Sequence, residues 1–161
     1  MLAAMRYAIA AGLMLAASCS PPSANDLEVS PSIEGQNMMV SDVALGAKLE
    51  GSFTLALSLG KLASSDSDVQ IQKFALVRDA DALPLVSPLP LGAGAITSKH
   101  VGIGNVEKII YTVDGSQPIS ADLKTKICSA GPVRITGTIF DGSRGKTTPV
   151  ESSPFTVSGC K

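Results

Sequence analysis

From about residue 37 onward, apolar and polar side chains alternate with a period of two, the repeat of a strand with one buried face. Phe53, Leu55, Leu57 and Leu59 alternate with Thr54, Ala56 and Ser58. Val133, Ile135, Gly137 and Ile139 alternate with Arg134, Thr136 and Thr138 in a second such segment. Ile109, Tyr111 and Val113 predict a third, Phe155 with Val157 a last one, and Met38–Val43 a first. Between Val69 and Val77 the parity changes: Val69 and Ile71 share one phase, Phe74 and Leu76 the other. Either a bulge at Gln72-Lys73 or a strand that leaves one sheet for another produces such a flip.

Breakers divide the rest. Pro84, Pro88, Pro90, Gly92 and Gly94 forbid a central strand over 83–95 and predict an extended crossover or an edge segment. Residues 120–127 form the single helical candidate, with Ser120 as cap, Asp122 in the first turn and lysines after it. Two turns at most fit before Gly131-Pro132. About seven short strands and one short helical turn predict an all-β, immunoglobulin-like β-sandwich, with a small barrel as the alternative.

Ahead of the alternating region the pattern differs. A run of apolar and small residues from Tyr7 to Ser18 follows Arg6 and ends at Cys19. It is short of the roughly 20 residues that span a bilayer and suits a secretory signal peptide. Leu15-Ala16-Ala17-Ser18-Cys19 resembles the lipobox of bacterial lipoproteins, with Ala16 where leucine is common. The resemblance covers these residues alone. It implies removal of residues 1–18, acylation of Cys19 and attachment to a membrane of the bacterial cell envelope through the N-terminal lipid. In enteric lipoproteins an aspartate after the cysteine marks the inner membrane. Ser20 stands there, so the resemblance implies the outer membrane. Residues 19–36, rich in Pro and Ser, are expected to be a flexible tether behind that anchor, with a root-mean-square reach of roughly 20–25 Å. The folded domain is then expected over 37–161.

Charge and composition remove several function classes. Of 13 basic and 14 acidic side chains only Arg6 falls within residues 1–18, leaving 12 against 14 in the mature chain, with no basic patch suited to nucleic acid. There is no Trp, and Tyr111 is the single Tyr of the mature chain, which argues against a typical sugar-stacking surface. With Cys19 acylated, Cys128 and Cys160 remain, and an exported protein is expected to pair them. If the turn Asp141–Lys146 centres a hairpin near residues 143–144, the two cysteines fall opposite each other near its open end.

Candidate chemistry is sparse. His100 is the one histidine, in a loop or edge strand, with no Gly-x-Ser-x-Gly elbow in the chain; no catalytic residue is expected. One His and two paired cysteines cannot build a zinc site. Asp66/Asp68 and Asp79/Asp81 flank one strand and are expected at opposite ends of it, as solvated turn residues rather than a calcium site. Gly102-Ile-Gly104 and Gly92-Ala-Gly94 lack the third glycine and helix of a nucleotide loop. No metal and no cofactor is expected. The proline-stiffened Leu83–Leu91 segment is either a loop packed across the core or a recognition edge for another protein. The expectation is a non-enzymatic, membrane-anchored lipoprotein with a protein-interaction or envelope-structural role. A carbohydrate or small-ligand binding module and an enzyme inhibitor are the alternatives.

Overall fold

The structure, a computed structural model, describes residues 24–44 and 46–160. Residues 1–18, Cys19 and the first part of the expected tether lie outside the described residues. After a one-turn helix α1 (Ala24–Leu27) come β1 (Val29–Val43), β2 (Gly46–Leu59), β3 (Ser67–Ile71), β4 (Ala75–Arg78), β5 (Pro84–Val86), β6 (Ser98–Val101), β7 (Val106–Val113), α2 (Ala121–Ser129), β8 (Val133–Asp141) and β9 (Lys146–Glu151). They form two antiparallel sheets. One has the order β1-β2-β7; the other has the order β5-β4-β8-β3-β6, with β9 on β8. The chain is mostly β, with nine strands among the described residues where about seven were expected. The unexpected β5 and β6 are three- and four-residue edge pieces, too short to show an alternation. The expected last strand at Phe155 and Val157 is instead an irregular segment with isolated bridges after β9.

The alternating residues face one shared core. Phe53, Leu55, Leu57 and Leu59 of β2, Ile109, Tyr111 and Val113 of β7, and Val133, Ile135 and Ile139 of β8 are all buried in it. So are Val69 and Ile71 before the parity change and Phe74 and Leu76 after it. The flip is a bulge. Ile71 faces Ile139 and Ala75 faces Thr136, so four steps on β3–β4 answer three on β8. The inserted residue restores the core-facing phase, as a bulge must.

Two expectations need correction. The expected tether (19–36) is too long, because β1 starts at Val29 and pairs with β2 from Val29↔Leu59 onward. Val29 and Ile33 are buried, and so are Met38 and Val40 in the opposite phase. A register shift between Glu34 and Asn37 joins the two halves, with Gly35 at φ 63° supplying the left-handed turn. Pro31 and the phase change together masked the alternation. The helix is also longer than two turns: α2 holds nine residues, capped by Ser120 Oγ accepting from Leu123 N–H at 3.2 Å. Ile127, buried at its C-terminal end, anchors it.

Bridging segments join the sheets along both sides. Residues after β9 run parallel to β1 (Ile33↔Ser152, Met39↔Ser158) while Phe155 pairs with Val133 of β8. On the other side, the proline-rich segment pairs with β4 through β5 and with β7 at Leu91↔Val113. That is the extended crossover its prolines predict.

The β8–β9 hairpin keeps the expected centre, with Asp141 opposite Lys146. Cys128 and Cys160 stand at disulfide distance beyond its open end, with Cα atoms 5.3 Å apart. Cys128 sits on the last turn of α2, not on an extension of β8.

Candidate functional site

The bulge in β3–β4 opens the main concavity. On their outer side, β3 takes β6 as neighbour and β4 takes β5. Between them lies the stretch Gln72–Phe74, met there by one backbone bond, Leu89 N–H to Phe74 C=O at 2.7 Å. The gap widens into a groove of about 750 Å³. Phe74 and Tyr111 form its floor, Leu89, Leu91 and Ile96 its apolar walls, and Lys73 part of its rim.

The floor is rigid. The Phe53 and Phe74 rings meet edge to face at 4.9 Å, and Tyr111 packs on both at 5.2 Å. Tyr111 O–H donates to Ile96 C=O at 2.5 Å, tying β7 to the far wall. Burial pushes this phenol up to about 12, so it stays a donor at any physiological pH. Phe74 lies against Gly137 of β8, where an added Cβ would stand 2.5 Å from a ring carbon. Gly137→Ala is therefore expected to displace the ring and cost about 1–3 kcal/mol, as overpacking does. Thermal denaturation of the variant checks this. An unchanged melting temperature would mean that the ring has room to give.

Lys73 is exposed at the rim, and no ion pair joins it to a carboxylate among the described residues. The proline-rich segment, singled out in the sequence, supplies Pro88, Leu89 and Leu91 to the lining. Their partners across the gap, Phe74, Tyr111 and Ile96, carried no sequence signal except the parity flip that marks the bulge.

The other candidates lie apart from this groove. His100 is exposed at the β3–β6 edge, with Nδ1 2.9 Å from Asp68 Oδ1 and Nε2 3.4 Å from Asp66 Oδ2. No serine hydroxyl bonds it among the described residues. Asp66 also accepts from Ile103 N–H at 2.9 Å. At the other end of β3–β4, Asp79 pairs with Arg134, and Asp81 with Arg78 at 3.4 Å. The two aspartate pairs are thus separate and already engaged. No group of three or more metal-ligating side chains converges among the described residues.

The hydrogen bond to Asp68, with the charges of Asp68 and Asp66, holds His100 above its ordinary value near 6.5. Folding therefore favours the imidazolium. Its contribution is fully present below the unfolded-state value and fades as pH rises through the higher folded one. Because His100 is the single histidine, one imidazole signal reports the titration by NMR. Its midpoint is expected above 6.5, and Asp68→Asn is expected to bring it down. An unmoved midpoint in that variant would rule out the Asp68 contact as the cause.

Comparison with known proteins adds little. No family model matches the chain, and no curated protein matches it. One solved structure, described as Northeast Structural Genomics Consortium target SoR45, aligns over 81% of this chain and 86% of its own at 11% identity, with a TM-score of 0.42.

Proposed function

We propose that this chain is an exported lipoprotein, held at the bacterial envelope through acylated Cys19, whose body is a non-enzymatic interaction module. The anchor rests on Leu15–Cys19, and Ser20 favours the outer membrane. Two antiparallel sheets around one core support an immunoglobulin-like β-sandwich. Cysteines at disulfide distance suit an oxidising compartment.

The groove at the bulge carries the interaction role. Its apolar floor and walls suit an apolar stretch of a partner protein, and the uncompensated Lys73 favours an acidic side chain beside that stretch. The experiment is photo-crosslinking in intact envelopes, with the reactive residue at Thr97 on the groove or at Ser116, exposed in the loop after β7. A protein adduct formed at Thr97 and absent at Ser116 is expected. Equal labelling at both positions, or none, would end the groove reading. Mass measurement of the mature N-terminus tests the anchor separately.

One observation favours a second reading. A largely apolar groove of about 750 Å³ falls within the roughly 300–1,000 Å³ of small-molecule sites. A small apolar ligand copurifying with the protein, seen in native mass spectra, would decide for it. Sugar is disfavoured, since Tyr111 is buried and offers no stacking face. The inhibitor alternative needs a projecting loop, whereas Leu89 is buried and Pro88 and Leu91 line the groove.

A further inference from the structure

We infer that the end of the body at which the chain enters is a membrane-contacting face, formed by Leu27, Leu62, Ile103 and Val106. The inference rests on the lipoprotein reading, because the lipid on Cys19 supplies the proximity.

Four of the eight large apolar side chains that stand exposed gather at this end: Leu27 (40%), Leu62 (60%), Ile103 (41%) and Val106 (58%). A chain of contacts joins the segments that carry them. Leu62 N–H donates to Asp26 C=O at 3.2 Å, which holds the loop after β2 against α1. Gly104 N–H donates to Leu59 C=O at 2.9 Å, and Leu59 N–H to Asn105 C=O at 3.1 Å. The loop before β7 is thereby fixed to the same end of β2. Arg144 reaches across from the β8–β9 turn, donating to Leu27 C=O at 3.0 Å and Ser65 C=O at 2.9 Å.

Chain length selects the occupant. Four residues separate Cys19 from Ala24, and the five steps between them reach at most about 18 Å even when fully extended. A lipid on Cys19 therefore holds this end, and no other, within that distance of the bilayer. Exposed leucine, isoleucine and valine so placed gain by entering the interfacial layer. Charge is not the attraction, since Arg144, Lys146 and His100 at this end are paired, in that order, with Asp141, with Glu28, and with Asp66 and Asp68. The contact is apolar, and a zwitterionic surface suffices.

The absence of Trp makes a clean test possible. The full, lipidated chain is reconstituted in phosphatidylcholine vesicles with and without brominated phosphatidylcholine, which quenches indole at contact. Leu62→Trp probes the face. Leu83→Trp, also at an exposed leucine (50%), probes the far end of β3–β4, roughly 30–35 Å away along the strand. With Cys19 shown acylated by mass, Leu62→Trp is expected to lose most of its emission to the brominated lipid and Leu83→Trp to keep it. If Cys19 is acylated and both are quenched alike, or neither is, the face is overturned while the anchor stands. If Cys19 carries no lipid, the anchor fails and the face falls with it.

Discussion

Asp141→Ala is expected to lower the unfolding free energy by about 3–5 kcal/mol, the range for removing one partner of a buried ion pair. Asp141 is 3% exposed, and its carboxylate serves four donors. Arg144 Nη1 lies 3.1 Å from Oδ2; the Ser143 and Arg144 N–H groups reach Oδ1 at 3.1 and 3.3 Å; and Ser67 Oγ, fully buried, also donates to Oδ1. Without the carboxylate, the buried Ser67 hydroxyl and Arg144 Nη1 lose their acceptor. The effect spreads, because Arg144 also holds Leu27 and Ser65. Asp141→Asn retains an acceptor for the turn amides but loses the charge, and should fall between wild type and alanine. Urea denaturation monitored by circular dichroism measures both. A loss for alanine below about 1 kcal/mol, the range of surface pairs, would show that the cluster adds nothing beyond an exposed contact.

The second large effect is expected from the cysteines. Replacing Cys128 and Cys160 together with serine should destabilise the protein by about 3–4 kcal/mol, because the crosslink closes a long loop and restricts the unfolded chain. The sequence separation is 32 residues. A local signature should accompany the global one. The segment after β9 is held to β1 by Val40 N–H to Ser158 C=O and Ser158 N–H to Met38 C=O, both at 2.9 Å. Without the crosslink, amide exchange at Val40 and Ser158 should accelerate ahead of that in β2 and β8. If a reductant leaves the denaturation midpoint of the wild-type protein unchanged, the pair is not closed by a stabilising bond.

The features most legible in the sequence were those governed by local alternation. β2 and β8 show one clean phase, and the large apolar residues the pattern marks in them are all buried, although Ala56 in the opposite phase is buried too. The parity flip near Gln72 located a bulge because burial phase is a property of neighbouring residues. β1 was half missed, since its own phase change falls beside Gly35 and follows Pro31, a combination that composition alone assigns to coil. The polar cluster was not legible at all. Asp141-Gly-Ser-Arg144 signals a turn, but Ser67 and Leu27 come to it only through folding. The groove was legible only as its proline-rich wall. Its floor residues, Phe74 and Tyr111, look in sequence like any other core aromatics. What makes them a site is the mismatch between the neighbours of β3 and β4.

If Cys19 anchors the chain as proposed, the segments that bridge the two sheets gain a second role. Molecules anchored in one leaflet meet at far higher local concentration than molecules in bulk solution, and an unpaired strand flank is a template on which a second copy can add. Here the outer flank of β1 is engaged at Ile33 and at Met38–Val40 by residues 152–158, and that of β7 at its C-terminal end, Thr112–Val113, by the segment around Leu91. Along those stretches, strand addition by a second copy would first have to strip away an intramolecular partner, which under the proposed anchor would limit self-association on the membrane.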